Sequence, residues 1–200
     1  MKILNKTTDK KKKIISNYNK TAYFYDNRYR EIQEQKYKVI LNKNYRLKSK
    51  VILDVGCGTG LFLEFIIELK GQSNYIPFIY VGTDISWKML KIFRIKFQKL
   101  KLKSEFNLVL ADVENIPFRD DIFHSIFSLT SFQNLPNIDK AVKNLYRVGQ
   151  NEADITISIL KKKSNLTELK NLLNPILESL TSINKEDLED FIIQGKLLKK

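Results

Sequence analysis

Short apolar runs alternate along this chain with longer stretches in which apolar side chains recur every three or four positions, a rhythm that predicts strands separated by helices. Val51–Val55, Phe78–Gly82, Phe106–Leu110, Ser125–Ser128 and Asp154–Leu160 read as strands. Leu61–Lys70, Ser86–Leu102 and Asp139–Arg147 read as the helices between them. In the second of these, Leu90, Phe93, Phe97 and Leu100 form a core-facing stripe, and Lys88, Lys91, Lys96, Lys99 and Lys103 are expected to face solvent. Strand and helix in alternation predict an α/β fold, a doubly wound and mainly parallel sheet with helices on both faces.

The two ends of the chain read differently. Residues 1 to about 13 are polar and lysine-rich, with Lys10–Lys13 consecutive, and are expected to be mobile or solvent-facing. Ile14–Tyr25 and Glu31–Leu41 read as helical segments broken around Asp26-Asn27. After the fifth strand come a helix over about Asn165–Leu180 and one apolar strand, Phe191–Ile193. The chain thus divides into a basic arm with a helical cap, 1–47, and one globular unit, 48–200.

Composition narrows the function classes. With 200 residues and 43% hydrophobic content there is enough apolar side chain for one sizeable core. The apolar runs are too short and too interrupted by charge to span a bilayer, so no membrane partner is expected and a cytoplasmic location is the default. A single cysteine, Cys57, excludes an internal disulfide framework and a multi-cysteine zinc site. Against 22 acidic residues stand 35 basic ones, and the net charge of +13 favours polyanionic partners. Most of those basic residues are lysine and the chain is also rich in Ile and Asn, so compositional bias is the competing explanation.

The candidate chemistry sits where the first strand runs into Gly56-Cys57-Gly58-Thr59-Gly60 and then a helix. Glycines there permit positive φ and let backbone approach a ligand at a helix N-terminus. The dinucleotide spacing G-x-G-x-x-G is not met, since Leu61 stands at the third glycine position, which points to a ligand without a pyrophosphate. Asp84, ending the second strand, stands where an acid accepts from ribose hydroxyls; its bland alternative is a helix cap. Asp112 ends the third strand, a place where aspartate is also a common turn former. His124, the only histidine, begins the fourth strand, away from the C-terminal edge where ligands bind, and reads as a packing residue.

Asp54-Val55-Gly56-Cys57-Gly58-Thr59-Gly60 matches D-x-G-x-G-x-G, Asp84 to Leu90 fits DIS-x-x-ML, and Ala111 to Phe118 looks like AD-x-x-x-LPF. From about Tyr25 to Leu160 the chain therefore resembles the class I S-adenosylmethionine-dependent methyltransferases, the methyltransferase type 11-like domain. That resemblance implies a Rossmann-like fold, S-adenosyl-L-methionine as cofactor, no metal, and a cofactor site of Asp54, Gly56, Cys57, Gly58, Gly60, Asp84, Ile85, Asp112, Val113 and Ser128. It implies that an apolar residue among Ile85, Trp87 and Met89 packs on the adenine, that Asp112 accepts from its exocyclic amine, and that the Val113 backbone meets the ring edge. The segment from the fourth strand through Pro136 walls the site between cofactor and acceptor. Ala22, Tyr25, Asp26, Arg28 and Tyr29 resemble the helical cap of such enzymes, with Tyr25 and Tyr29 either closing over the methionine end or simply packing.

Departures from the pattern matter as well. His124 replaces the usual Asp, Val148–Glu152 replaces a Pro-Gly-Gly-like turn, and only one strand is found for the family's closing two-stranded hairpin. The C-terminal sheet edge is therefore expected to be shortened, with Lys196, Lys199 and Lys200 blunting it. Ser131–Asn134 is not the Asn-Pro-Pro-aromatic tetrad of amide-nitrogen methylation, and a lone Cys57 disfavours pyrimidine C5 methylation through a cysteine adduct. No catalytic base is identified. The charge and the lysine arm lean towards RNA or an RNA-associated protein as methyl acceptor. A small molecule, a catalytically silent cofactor-binding subunit and dependence on a small zinc-binding activator subunit are the alternatives.

Overall fold

The computed structural model describes residues 2–41, 50–69, 71, 78–99, 106–163 and 166–199. Among these, the strands β1 (Val51–Val55), β2 (Ile79–Asp84), β3 (Phe106–Leu110), β4 (Phe123–Leu129), β5 (Gly149–Leu160), β6 (Leu177–Ile183) and β7 (Asp190–Leu197) form one sheet. Its order is β3-β2-β1-β4-β5-β7-β6, parallel except for β7, which runs antiparallel between β5 and β6. The helices are α1 (Lys2–Thr21), α2 (Tyr25–Ile40), α3 (Leu61–Leu69), α4 (Trp87–Lys99), α5 (Ile138–Val148) and α6 (Leu166–Leu173).

Alternate residues of each central strand serve opposite faces of the sheet. Ile52 and Tyr80 point towards α2, α3 and α4, where Phe62, Phe93 and Phe97 complete the packing. Leu53, Val55 and Val81 point the other way, towards Leu145 and Val148 of α5. With both faces covered, the central strands must be apolar throughout, which is why β1 reads as an unbroken hydrophobic run. Strand order reverses between β1 and β4, so the chain leaves a crevice at the C-terminal ends of these two strands. None of the described helices is long and apolar enough to cross a membrane.

Three readings of the chain ends need correction. The lysine-rich arm is not a mobile segment: α1 runs unbroken through it and lies across the C-terminal ends of the strands, its Asn19 accepting from the Ser86 hydroxyl at 2.8 Å. Lys11, Ile14, Ile15, Tyr18 and Asn19 are partly buried while Lys12, Lys13, Ser16 and Asn17 are exposed, a helical stripe that continues through the lysine run. The break before α2 falls at Ala22–Phe24, a single 3₁₀ turn, and not at Asp26-Asn27, which lie inside α2. The sheet edge is complete, not shortened, because the expected helix over Asn165–Leu180 stops at Leu173 and β6 follows it. Pro175 stands in the turn between them and cannot continue the helix. A register shift between Glu178 and Thr181, with Ser179 at φ 54°, breaks the two-residue alternation that would have marked β6 as a strand.

The terminal lysines do not guard that edge. Lys196 lies on β7, inside the sheet, and pairs with Asp154, while Lys199 bonds to Asp121 and to the Arg147 carbonyl; Lys200 lies outside the described residues. Nor are the α4 lysines all solvated: Lys96 is 2.7 Å from both Asp26 and Glu64 and ties α4 to α2 and α3.

The cap joins the far side of the sheet through a buried ion pair, Lys36 on α2 with Asp190 on β7, at 2.9 Å. Asp190 also accepts from the hydroxyls of Ser158, at 2.8 Å, and Thr130, at 2.7 Å. Removing one partner of such a pair strands a buried charge. Asp190→Ala should lower unfolding stability by about 3–5 kcal/mol, and a Lys36→Met/Asp190→Leu double substitution should recover much of that loss. Urea unfolding followed by circular dichroism checks both outcomes.

Candidate cofactor site

The glycine turn after β1 is held by the end of β2. The Gly56 and Cys57 N–H groups both donate to the Thr83 carbonyl, at 2.7 and 2.9 Å, and the Gly58 N–H donates to the Asp84 carboxylate at 2.9 Å. The other Asp84 oxygen accepts from the Ser86 N–H at 2.7 Å, starting α4. Two of the glycines have distinct tasks. Gly60, at φ +84°, packs under α4, where a Cβ would come within 2.7 Å of Phe97 and 2.9 Å of Phe93. Gly58, at φ +55°, has no protein atom within 4 Å of where its Cβ would stand, because that side faces the cavity. This is open space kept for a ligand.

The cavity offers about 760 Å³, part of it open to solvent. Val55, Gly56 and Gly58 form its floor, Asp84, Ile85 and Met89 one wall, and Asp112 and Val113 the end of that wall. Leu129, Thr130, Ser131 and Leu135 stand opposite, and Lys11, Ile14 and Tyr18 of α1 with Tyr25 of α2 form the roof.

Six of the ten residues inferred from sequence, Gly56, Gly58, Asp84, Ile85, Asp112 and Val113, line this cavity. Asp54 and Cys57 line a smaller side cavity behind the turn instead. Gly60 and Ser128 line neither: Gly60 is a packing glycine, and the Ser128 hydroxyl, fully buried, donates to the Val55 carbonyl at 3.2 Å. Cys57 is buried with its Sγ 2.9 Å from where a Gly82 Cβ would stand, so the two small residues fit each other. Of the apolar residues after Asp84, Ile85 and Met89 face the cavity and Trp87 is 49% exposed outside it. Tyr25 lines both cavities, and Tyr29 packs behind it with ring centres 4.8 Å apart. His124 lies at the other end of β4, its Nδ1 buried without a hydrogen bond.

Sequence reasoning missed the roof. Lys11 donates to Asp112 at 2.5 Å and to Glu114 at 2.6 Å, and Lys10 to the Leu135 carbonyl at 3.0 Å. Burial works against the charge of Lys11, but the two carboxylates outweigh it and hold its pKa above the ordinary lysine value. Tyr18 accepts from the Asn134 amide at 2.8 Å, locking α1 to the segment after β4. The available signal was the spacing of Lys11, Ile14 and Tyr18, which extends the helical period into the lysine run.

The residues present fit S-adenosylmethionine: a bare glycine floor, an apolar wall for a flat base, and strand-end carboxylates for hydroxyl and amine donors. Asp84 retains acceptor capacity beyond its two backbone bonds, and Asp112, though engaged by Lys11 and the Glu114 N–H, keeps lone pairs as well. Burial dominates the titration of both acids near the turn. It pushes Asp84 up to about 6 against the pull of its N–H donors, and Asp54 up to about 7 against the bond from Tyr80.

Folded pKa values above the unfolded one mean that the native state binds more protons. The associated stability is complete below about pH 4 and is lost as pH rises through 6 and 7. Asp84→Asn cannot ionise, so the stability advantage of the wild type over this variant should shrink between pH 5 and pH 8. Paired urea titrations at those pH values measure it, and an advantage that grows with pH would reverse the assignment.

Comparison with known proteins agrees with this geometry. The family model described as a methyltransferase domain matches residues 53–157. The ubiquinone/menaquinone biosynthesis C-methyltransferase UbiE of Haemophilus ducreyi is 32% identical over 101 residues, 50% of this chain and 38% of that protein. Its counterpart in Pasteurella multocida is 29% identical over 136 residues, 68% of this chain and 45% of that one. The matched part is thus less than half the length of these curated relatives. Among solved structures, a candidate S-adenosylmethionine-dependent methyltransferase of Methanococcus maripaludis superposes with a TM-score of 0.74 at 20% identity, covering 92% of this chain and 94% of its own. An S-adenosylmethionine-dependent methyltransferase of Aquifex aeolicus gives 0.64 at 21% identity, covering 86% and 93%. At such identities these two speak for the fold, and the family match, which spans the glycine turn, Asp84 and Asp112, carries the rest: the chain belongs to the methyltransferase domain family of class I S-adenosylmethionine-dependent enzymes.

Proposed function

We propose that this chain transfers a methyl group from S-adenosylmethionine to a small, largely apolar organic acceptor, with a carbon of an electron-rich ring as the receiving atom. The carrying observation is the roof. Helix α1 covers the cavity, and Lys10 and Lys11, two of the lysines that would have met a nucleic-acid backbone, are turned onto Leu135, Asp112 and Glu114. What remains beside the cofactor floor is walled by Ile14, Leu129, Leu135 and Pro136, a lining suited to a compact apolar molecule. The UbiE relatives, named for C-methylation in quinone biosynthesis, support the same class of acceptor.

When bound, the cofactor supplies a methyl group already activated on a sulfonium, so the protein's contribution is positioning and exclusion of water. Asp84 and the Gly56–Gly58 backbone fix the cofactor at the floor. Tyr18, Tyr25 and Ile14 shut water out from above, and the Leu129–Pro136 segment sets where an acceptor can rest. The net charge of +13 remains the feature that favours RNA, and the same assay separates the two readings.

Two measurements test the proposal. Asp84→Ala should weaken S-adenosylhomocysteine binding by about tenfold or more in calorimetry, because charge-assisted bonds to ribose hydroxyls are lost while the fold persists. Incubation of the chain with methyl-labelled cofactor and fractionated cell extract should place label in the small-molecule fraction. Label in RNA or protein alone would overturn the small-acceptor reading.

A further inference from the structure

Four large apolar side chains that stand in solvent belong to two neighbouring segments on the outside of the cap. Tyr23 (69% exposed) and Phe24 (71%) lie in the 3₁₀ turn Ala22–Phe24, and Trp87 (49%) and Ile95 (43%) lie on α4. Side-chain bonds hold the two segments together. Asn19, just before the turn, accepts from the Ser86 hydroxyl and the Lys88 N–H at the start of α4, and Asp26, just after it, pairs with Lys96 further along α4 at 2.7 Å. The turn is thereby laid along α4, with Ala22 buried and the two aromatic rings left outside. Tyr18 and Tyr25, on either side of the same turn, line the cavity, so Tyr23 and Phe24 project from the outer side of its roof.

A single exposed apolar residue means little, but consecutive aromatic rings left this far in water, beside a tryptophan and an isoleucine, mark a contact surface. Basic side chains frame it. Lys20 and Arg28 flank the turn and are exposed, and Lys91 and Arg94 are exposed on α4 between Trp87 and Ile95, with the Lys91 Nζ 5.8 Å from the centre of the Trp87 ring. The acid closest in sequence to the turn, Asp26, is turned onto Lys96, and the next exposed acid along the chain is Glu31. Projecting aromatic rings among cations complement an anionic bilayer, where rings settle at the headgroup level and lysine and arginine meet lipid phosphates. We infer that this face docks on a negatively charged membrane surface. Such contact needs no spanning segment, which is all that the short apolar runs exclude. Nucleic acid matches less well, because bases stack on aromatics set along a groove that tracks the backbone and not on rings that stand out from a turn. The inference rests on surface residues alone and holds whatever the methyl acceptor is.

Trp87 is the only tryptophan of the chain, so its fluorescence reports on this face directly. With vesicles of equal parts phosphatidylglycerol and phosphatidylcholine, the full chain should co-sediment and its tryptophan emission should move to shorter wavelength. Vesicles of phosphatidylcholine alone should bind it about tenfold more weakly or worse. Tyr23→Ser/Phe24→Ser should lower partitioning by about tenfold or more, and Lys91→Glu/Arg94→Glu should do the same on the anionic vesicles. All four side chains are exposed, so both variants should keep the wild-type urea midpoint, which separates lost docking from lost folding. The wild-type emission shift decides the matter without either variant. Absence of co-sedimentation with anionic vesicles, co-sedimentation with unchanged Trp87 emission, or binding that survives both pairs of substitutions overturns the inference. Two other occupants of this face would overturn it as well: a second copy, seen as a dimer in equilibrium sedimentation that Tyr23→Ser/Phe24→Ser abolishes, and RNA, seen as an oligonucleotide that shifts Trp87 emission where vesicles do not.

Discussion

The hold of the β2 end on the glycine turn is the constraint from which the site follows. Parallel pairing of β1 with β2 sets Asp54 beside Gly82 and Val55 beside Thr83, so the turn leaving β1 meets the last residues of β2. Three N–H groups of the turn then find acceptors there, two on the Thr83 carbonyl and one on the Asp84 carboxylate. Those bonds fix backbone that would otherwise be free to move, and they do so in conformations only glycine adopts cheaply. Asp84 therefore acts twice: one oxygen steadies the turn, the other starts α4, and its remaining lone pairs face the ligand space. The raised pKa of Asp84 and Asp54 is the consequence of burying both acids at this turn, with the Asp84 charge adding a smaller push to Asp54.

How much of this the sequence discloses depends on how local each cause is. The central strands, the turn and the strand-end acids are specified by runs of a few residues whose meaning does not depend on distant partners, and they are legible in order. β6 is not, because its bulge at Ser179 destroys the alternation by which a strand is recognised, and the neighbouring helix pattern spills over it. Gly60 shares its motif with cavity residues and Ser128 ends a strand beside the cavity, yet only the packing of Phe93 and Phe97, or the Val55 carbonyl, reveals that their contacts are internal. Lys11 and Gln33 depend wholly on tertiary placement. Nothing in a lysine run marks which lysine turns inward, and a glutamine in a polar helix looks like a solvated one until the fold buries it.

The inward lysines also change what the charge means. A net +13 read from composition is a statement about solvent-facing groups only if those groups face solvent. Here Lys11, Lys36 and Lys96 are all engaged with carboxylates at 2.5–2.9 Å, holding α1, α2 and α4 to the rest of the molecule. Part of the apparent polyanion signal is thus internal fastening, and the surface that remains is less focused on the cavity mouth than the linear sequence implies.

The two cap helices are fastened by different physics. α2 buries Tyr37 against Phe62 and Phe65, at ring distances of 5.1 and 5.5 Å, and sinks Lys36 onto Asp190, a group that also orders Thr130 at the cavity wall. Thr130 keeps φ +58°, an unfavourable conformation for a β-branched residue, because the Ser158 hydroxyl accepts from its N–H while Asp190 takes its own hydroxyl. Moving α2 would release that strain only by exposing a charge and breaking a core. α1 has no fully buried side chain between Asp9 and Thr21, and it is joined through Lys10, Lys11, Tyr18 and Asn19, polar contacts that water can replace. Local opening takes the path with least buried apolar contact. Of the two fastenings around the cavity, that of α1 is therefore the one with less buried apolar contact, while α2 is tied to the sheet and keeps Tyr25 at the cavity roof.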